Sequence, residues 1–465
     1  MDLSKYTPEI INTLQELIRI KTVLDTPVEG GPFGKGNKEC LERTLQICEQ
    51  LGFKVKNLDG YCGYAEIGSG EELVGIIGHL DVVPEGNLSS WKYPPYSGVV
   101  VDGELWGRGT WDDKGPTVIS IYAIKALMDS GFVFNKRVRL IFGCNEESGS
   151  LCMEHYLKVD EPISYGVSPD ASFPVIFAEK TINNIELKGK AINNNDVKLI
   201  SLSSGTVINA VPDKCEFTLK VNGNKQEVIA KINTVLTQNN IEYKITDEND
   251  TISYEVYGKA AHGSTPDIGV NAASFALLAL NQVCDNSFVK FYYDCIGICV
   301  HGEKLNCYVE DEYGPIAVNV GLVSYENDNY SIKINSRLPF NTNSEEMVLK
   351  IKEKVEPYGV EVILHSSSTG FKIDPESMMI KCLVNAYQEV TKDYKTAPIC
   401  CAGGTYAREF SNCVAFGPEM EGYGEVIIHQ PNERIQIRAI EDIMKIYFKA
   451  YADLITKVSF KSQIN

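Results

Sequence analysis

The residues best suited to chemistry in this sequence are its histidines, because there are only six among 465 residues. Two of them stand in motifs that also carry acidic residues. His79 lies in GHLDVVPEG with Asp81 two positions later, and His429 lies in VIIHQPNE. A ligating imidazole commonly donates its second N–H group to a carboxylate, and a strand brings residues i and i+2 to the same side. His79 and Asp81 are therefore candidates for a metal ligand and the residue that orients it.

Three further motifs contribute carboxylates. GRGTWDDKGP holds Asp112 and Asp113, NEESGS holds Glu146 and Glu147, and SPDASFP holds Asp170 between two prolines. Each motif alone has an ordinary structural interpretation: helix capping, a solvated acidic turn and an Asx-turn, respectively. Nitrogen and oxygen ligands without thiolate suit zinc, cobalt or manganese at a hydrolytic centre. Together with the two histidines, the set predicts a metal site.

The hydrophobic pattern around these motifs predicts which elements position them. The expected elements are strands over 73–77, 138–142, 413–416 and 425–429 and helices over 116–128 and 375–391. Strands that alternate with helices indicate an α/β fold with buried, largely parallel strands. The candidate residues come directly after the strands. Ligands bind beyond the carboxyl ends of strands in such sheets, so the placement favours a functional site.

Between residues 182 and 372 the hydrophobic pattern changes to long strand-like stretches that alternate with single helices. Segments that begin at Gly205 and Gly321 share a layout of β-hairpin, polar turn, amphipathic helix and short strand. We interpret them either as an internal repeat or as two similar pieces that match by chance. The α/β pattern then resumes. The sequence therefore predicts one domain, 1–181 and 373–465, interrupted by an inserted domain over 182–372.

Composition disfavours several classes of protein. The formal charge of −18 argues against nucleic acid or an anionic membrane as a partner, because both repel a negative surface. The fourteen cysteines are scattered and form no CxxC pair, as expected for reduced thiols in a cytoplasmic protein. We expect no membrane span and no signal peptide, since the apolar runs are too short.

As an ordered series, the motifs GHLDVVPEG, GRGTWDDKGP, NEESGS, SPDASFP, AAHGSTP and GGTYARE resemble those of the co-catalytic metallopeptidases. This family includes aminoacylases, glutamate carboxypeptidases and succinyl-diaminopimelate desuccinylase, and the resemblance within it is to the PepV-type bacterial dipeptidases. It covers nearly the whole chain and implies a zinc-peptidase-like fold, in which helices flank a mixed, mostly parallel sheet. It also implies a dinuclear metal-dependent dipeptidase whose partner is a small peptide substrate. An N-acyl amino acid deacylase or carboxypeptidase with the same centre is the alternative. A non-catalytic descendant is disfavoured, because every residue that the chemistry needs is present.

The resemblance implies a set of metal ligands. His79 and Asp170 would bind one divalent ion, and Glu147 and His429 would bind the other. Asp112 would bridge the two ions, and the peptide bond that follows it is expected to be cis. Zinc is the expected metal, with manganese and cobalt as alternatives.

The resemblance also implies catalytic roles. Asp81 would orient His79, and Glu146 would be the general base that takes a proton from a metal-bridging water and passes it to the leaving amine. From the inserted domain, His262 would stabilise the oxyanion of the tetrahedral intermediate, with Asn209 near the oxyanion or the substrate backbone. Arg337 would bind the C-terminal carboxylate of the substrate, a task that suits a guanidinium.

Further features concern the substrate and the assembly. Gly403, Gly404 and Thr405 match a loop that contacts the substrate through its backbone, whereas Trp111 departs from the smaller residue common in relatives. The inserted domain is expected to be a lid of two ferredoxin-like repeats, which makes the protein a self-sufficient monomer whose lid movement gates turnover. Oxidation of cysteines near the site is a weaker hypothesis; these cysteines are Cys144, Cys400 and Cys401.

Overall fold

The structure, a computed structural model, describes residues 2–194, 196–340, 342–424 and 426–459. The chain divides into two compact units. The first unit comprises Met1–Glu179 and Phe371–Asn465, and the second unit comprises Lys180–Gly370. Both junctions lie two residues before the expected boundaries. Within the described ranges, no helix has both the length and the apolar character that crossing a bilayer requires.

The N-terminal part of the first unit alternates strands and helices, as the hydrophobic pattern predicted. Its longest apolar run becomes a strand that is buried along its whole length. The helices are α1 (Thr7–Ile18), α2 (Lys35–Gln50), α3 (Lys114–Asp129) and α4 (Leu151–Val159). The strands are β1 (Lys54–Leu58), β2 (Cys62–Ile67), β3 (Leu73–His79), β4 (Val99–Val101), β5 (Glu104–Trp106), β6 (Arg137–Gly143), β7 (Tyr165–Ser168), β8 (Ala171–Ser172) and β9 (Ile176–Glu179).

The second unit is an α+β arrangement with long strands. Its strands are β10 (Thr181–Lys190), β11 (Val197–Ser204), β12 (Lys214–Val221), β13 (Glu242–Glu248), β14 (Thr251–Tyr257), β15 (Glu310–Asp311), β16 (Gly314–Pro315), β17 (Ala317–Glu326), β18 (Asn329–Leu338) and β19 (Glu361–Ser368). Its helices are α5 (Lys225–Gln238), α6 (Ala272–Leu280), α7 (Ser287–Cys295) and α8 (Ser344–Val355). Alternating apolar residues on the long strands face these helices and form the core of the unit.

The chain then returns to the first unit. Its last strands are β20 (Phe371–Lys372), β21 (Ile399–Cys401), β22 (Cys413–Ala415), β23 (Pro418–Glu419) and β24 (Arg434–Gln436). Its last helices are α9 (Met378–Thr391) and α10 (Ile437–Lys457), and α10 packs against both α9 and α3. The predicted strand over 425–429 is wrong for its described part, because residues 426–429 form a loop. Two glycines with positive φ, Gly422 and Gly424, lie just before this loop.

The large sheet of the first unit has the strand order β1-β2-β6-β3-β7-β22-β9-β20, with β21 beside β9. Its centre is parallel, since β3 runs parallel to β6 and β7, and β7 runs parallel to β22. Both edges are antiparallel, because β1 and β2 form a hairpin and β20 pairs with β9. The expectation of a mixed sheet is confirmed, but "mostly parallel" holds only for the centre.

The sheet of the second unit has the strand order β13-β14-β12-β11-β17-β18-β10-β19, and its neighbouring strands are antiparallel. The pairing of β11 with β17 divides it into two halves of four strands. The succession β12, α5, β13 in one half corresponds to β18, α8, β19 in the other. This matches the shared layout of the two segments in the sequence, and their origin by duplication stays a prediction.

Candidate metal centre

The candidate ligands of the first unit gather at one edge of its sheet. His79 is the last residue of β3, Glu146 and Glu147 follow β6, and Asp170 follows β7. These three strands are parallel neighbours, so their carboxyl ends lie side by side. Asp112 lies two residues before Lys114, the first residue of α3. The fold therefore brings together residues that are far apart in the sequence.

Asp112 lies between two imidazoles. Its Oδ1 is 3.0 Å from Nε2 of His79, and its Oδ2 is 2.9 Å from Nε2 of His429. His79 Nε2 is also 3.6 Å from Asp170 Oδ2, and His429 Nε2 is 3.1 Å from Glu147 Oε2. The two oxygens of one carboxylate thus face different histidines. The peptide bond after Asp112 is cis, as expected.

The side chains fit divalent cations. His79 Nε2 is buried and has no hydrogen-bond partner among the described residues, although two carboxylate oxygens lie within 3.6 Å of it. There are two groups of candidate ligands, and within each group the ligand atoms lie within 4.8 Å of one another. One group is His79, Glu146 and Asp170, and the other is His79, Asp112 and Glu147. Imidazole nitrogens and carboxylate oxygens without thiolate suit zinc or manganese. How the ligands divide between two ions stays a prediction.

Asp81 contacts the site differently from the sequence-based expectation. The ring Nδ1 of His79 lies 3.0 Å from the backbone oxygen of Asp81, whereas the carboxylate Oδ1 is 3.6 Å away. The carboxylate instead accepts the backbone N–H groups of Glu146 and Glu147, each at 3.0 Å. Asp81 therefore contacts His79 through its backbone and fixes the turn of the two glutamates through its side chain.

Asp113 fixes the other side of the His79 backbone. Its Oδ2 accepts the His79 N–H at 3.0 Å and the Thr117 hydroxyl at 2.9 Å. A Cβ atom at Gly78 would lie 2.0 Å from Thr117 Oγ1. Only glycine fits at this position, because β3 and the start of α3 approach each other so closely.

Lys114 anchors the same turn to the N-terminal helix. Its side chain is fully buried, and Nζ donates hydrogen bonds to the backbone oxygens of Leu17 at 3.0 Å and Ile20 at 2.9 Å. These carbonyls lie at and just beyond the end of α1. The segment that holds Asp112 is thus attached to a helix that provides no candidate ligand.

Two buried ion pairs that the sequence analysis missed hold the loops around the centre. Arg108 and Glu433 form the first pair, with Nη1 and Oε2 2.8 Å apart. Glu433 Oε1 also accepts the backbone N–H groups of Gly109 and Trp111. This pair connects the loop before Asp112 to the loop after His429. The only sequence signal was that each residue lies within a motif, Arg108 near the start of GRGTWDDKGP and Glu433 at the end of VIIHQPNE.

Glu179 and Arg408 form the second pair, with Oε2 and Nε 2.9 Å apart. Glu179 also accepts the Thr405 hydroxyl at 2.8 Å, and Arg408 donates to the Gly403 oxygen at 2.9 Å. Arg408 lies within GGTYARE, but the motif gave no reason to single it out. The pair fixes the loop that the sequence analysis expected to contact substrate.

A cavity of about 190 Å³ opens beside the ligands. Six of the residues that line it are Trp111, Asp112, Asp170, Gly403, Gly404 and Thr405. The structure thus places the predicted substrate loop and Trp111 next to two candidate ligands. Cys401 also lines the cavity, whereas Cys144 is buried and burial raises the pKa of its thiol. A redox role for these cysteines stays a prediction.

The candidate residues of the second unit are connected on one face of its sheet. Arg337 is buried and donates from Nε to Asn335 Oδ1 at 3.1 Å. Asn335 pairs across the ladder with Asn319, so both side chains lie on the same face. Asn319 Nδ2 donates to the backbone oxygens on either side of Asn209. Asn209 is next to His262, since its backbone oxygen accepts the N–H of the residue after the histidine at 2.7 Å.

The electrostatics of the cluster favour bound protons or cations. Burial tends to lower the pKa of His429, but its hydrogen bonds to Asp112 and Glu147 dominate and raise that pKa to about 11. Burial, with the charge of Asp112, raises the pKa of Asp170 to about 7. Burial and the charge of Asp170 also raise the pKa of Glu146 well above its ordinary value. A divalent cation would replace these protons as the positive charge.

Known proteins provide a comparison for this geometry. Residues 75–456 match the sequence profile of Peptidase family M20/M25/M40. A Staphylococcus aureus protein that carries the name "Putative dipeptidase" is 34% identical over 464 residues, which cover 97% of this chain and 98% of the relative. Among solved structures, the M20 family metallo-carboxypeptidase Sso-CP2 from Sulfolobus solfataricus has a TM-score of 0.56 at 19% identity, covering 98% of this chain and 99% of that one. Human carnosine dipeptidase 1 has a TM-score of 0.56 at 14% identity, covering 97% of both chains.

The α/β fold and the cluster of histidines and carboxylates are thus those of a metal-dependent peptidase, and the chain belongs to Peptidase family M20/M25/M40. The protein is a peptide hydrolase. The similarity to solved structures supports the fold, and the family match supports metal dependence. Zinc, manganese and cobalt all suit these nitrogen and oxygen ligands.

Metal affinity should rise with pH. Each cation must displace protons from groups such as His429 and Asp170, so binding releases protons and is weakened as the pH falls. We expect Zn²⁺ to bind at least about tenfold more tightly near pH 8 than near pH 6. Calorimetric titration in buffers of different ionisation enthalpy measures both the affinity and the protons released. His429→Asn should weaken binding and reduce proton release, whereas His155→Asn, outside the cluster, should change neither. Affinity independent of pH would contradict this account.

Proposed function

We propose that the protein is a dinuclear metallo-dipeptidase that hydrolyses dipeptides. The observation that carries the proposal is the convergence of two histidines and four carboxylates at the carboxyl ends of three parallel strands. The dipeptidase names of the Staphylococcus aureus relative and of human carnosine dipeptidase 1 support the substrate class. The proposed ligands are His79, Asp112, Glu147, Asp170 and His429.

Divalent ions held by these ligands would polarise the scissile carbonyl and make a water molecule more acidic. The chain provides the groups that act on the proton and the substrate. Glu146 is the proposed general base, since its carboxyl group is largely buried beside the ligands and belongs to one of their groups. Its backbone is held by Asp81. Glu146 would accept the proton of the attacking water and deliver it to the leaving amine.

The second unit is proposed to bind the substrate. Arg337 would form a paired hydrogen bond with the C-terminal carboxylate, and its side chain is already oriented by Asn335. His262 and Asn209 would donate hydrogen bonds to the oxyanion that develops on the scissile carbonyl. Asn319 holds the segment around Asn209, and the backbone oxygen of Asn209 accepts the N–H of the residue after His262. These connections support a role of both residues at the same oxyanion. We further propose that the second unit is a duplicated lid and that the protein acts as a monomer in the cytoplasm.

A substrate panel tests the proposed function. The metal-loaded protein should hydrolyse dipeptides such as Ala-Ala with a higher kcat/KM than N-acetyl amino acids or longer peptides. The rates can be measured by following the released amino acids. Faster hydrolysis of the N-acetyl compounds would contradict the dipeptidase assignment and favour a deacylase with the same centre.

Glu146→Gln tests the general base. We expect kcat to fall by about 10²- to 10⁴-fold, because the variant cannot accept the proton. The bound metal, measured by elemental analysis, should remain at the wild-type level. Glu154→Gln, an exposed glutamate on α4, is the matched control and should leave both unchanged. A loss of one metal ion in the Glu146 variant would instead identify this residue as a ligand.

Arg337→Met tests recognition of the substrate carboxylate. KM for Ala-Ala should rise about 10- to 100-fold, since a charge-assisted hydrogen bond is lost. Ala-Ala amide has no carboxylate, so we expect the native protein to hydrolyse it slowly and the substitution to leave that rate unchanged. Lys333→Met on the same strand controls for the removal of a positive charge. An equal loss with both substrates would show that Arg337 acts on the structure and not on the carboxylate.

A further inference from the structure

Glu419 is an acidic residue beside the metal centre for which the proposed mechanism has no use. It lies on β23, which pairs in parallel with β8, and its register partner is Ser172. β8 follows directly after Asp170. The Phe173 N–H donates to the Glu419 backbone oxygen at 2.8 Å, and the Ala171 N–H donates to the Gly417 backbone oxygen at 2.7 Å, so the backbone of this carboxylate is firmly held.

The strand pairing determines where the side chain points. Asp170 lies two positions before Ser172, directly before β8 begins. Register partners on adjacent strands share a side, which places Glu419 with Ser172. Its Oε2 accepts the Ser172 hydroxyl at 2.6 Å. Glu419 and Asp170 both line the cavity of about 190 Å³.

The Glu419 carboxylate can accept further hydrogen bonds from a cation. Among the described residues it forms no ion pair, and its only hydrogen bond is the one from Ser172. It is not a member of either group of candidate metal ligands. Burial raises the pKa of Glu419, the Ser172 hydrogen bond opposes the rise, and the charge of Asp112 adds to it. A cation in the cavity would relieve this unfavourable burial.

The rest of the cavity is suited to a small organic group. Trp111, Ile176 and Ile428 contribute apolar surface, and Asp112 marks the side that faces the metal centre. In a dipeptide, the carbon that carries the α-ammonium is bonded to the scissile carbonyl carbon. An ammonium group in this position must therefore lie close to the metal ligands, as Glu419 does.

We propose that Glu419 binds the free α-ammonium group of the substrate and so selects unblocked dipeptides over N-acyl amino acids. This inference rests on the proposed function and assigns a residue to its substrate class. An ammonium on the first side chain is the other source of the same chemistry. The small volume of the cavity and its contact with both Asp112 and Asp170 favour the α-ammonium.

The test compares two substrates that differ only in this group. Ala-Ala has the α-ammonium, and N-propionyl-alanine has a hydrogen atom in its place. For the metal-loaded native protein, kcat/KM should be higher for Ala-Ala. Glu419→Gln should reduce this preference about 10- to 100-fold, by lowering the rate on Ala-Ala alone. Glu421→Gln, an exposed carboxylate two residues later, is the matched control and should leave the preference unchanged.

Each outcome has one meaning, because both substrates are assayed with the same preparation. Partial unfolding or metal loss would lower both rates equally and leave the preference as it was. An unchanged preference in Glu419→Gln would overturn the role of Glu419 while the dipeptidase assignment stands. A native protein that prefers N-propionyl-alanine would overturn both. If Glu419→Gln changes the ratio of Lys-Ala to norleucyl-alanine and not that of the first pair, the residue binds a side-chain ammonium instead.

Discussion

Buried negative charge around His79 is the constraint on which the first unit depends. Asp112, Glu146, Glu147 and Asp170 end close together, and their mutual repulsion and burial raise the pKa of three of them. Such a cluster is stable only when positive charge offsets it. Neighbouring carboxylates meet the same constraint by other means. Asp81 and Asp113 accept backbone N–H groups, and Glu433 and Glu179 pair with arginines. For the four central carboxylates, the positive charge must come from the two histidines and from cations that the cluster binds.

The second unit uses neutral amides for the same positioning task. Asn335 orients Arg337 and donates to Asn184, and Asn319 holds the segment around Asn209. A carboxylate at position 335 would pair with the guanidinium of Arg337 and weaken its attraction for an anionic substrate. An amide provides the geometry without the charge. The first unit thus places carboxylates around the cations that it is proposed to bind. The second unit places neutral amides around the arginine that is proposed to bind the substrate carboxylate.

The residues that the sequence predicted best are those that follow buried strands, because a strand fixes the direction of the residue at its end. His79 and Glu147 are of this kind. The two supporting ion pairs were missed because their members are 325 and 229 positions apart, and only the tertiary fold brings them together. The apolar run before His429 read as a strand, yet it forms a loop, and Ile428 from this loop lines the cavity. The edges of the sheet are antiparallel because β1 and β2 form a hairpin and because β20, after the second unit, pairs with β9. Hydrophobic periodicity does not distinguish antiparallel from parallel pairing.

The contact of Lys114 with the end of α1 ties metal chemistry to the start of the fold. The first helix offers no candidate ligand, yet the backbone oxygens of Leu17 and Ile20, at and just beyond its end, accept hydrogen bonds from the ammonium group of Lys114, two residues after Asp112. Without those carbonyls, the buried ammonium would lose these hydrogen bonds and the turn would rearrange. A variant that lacks α1 would thus keep every proposed catalytic side chain and still lose the geometry of the metal centre. The minimal folding unit of this hydrolase is larger than the set of motifs by which it is recognised.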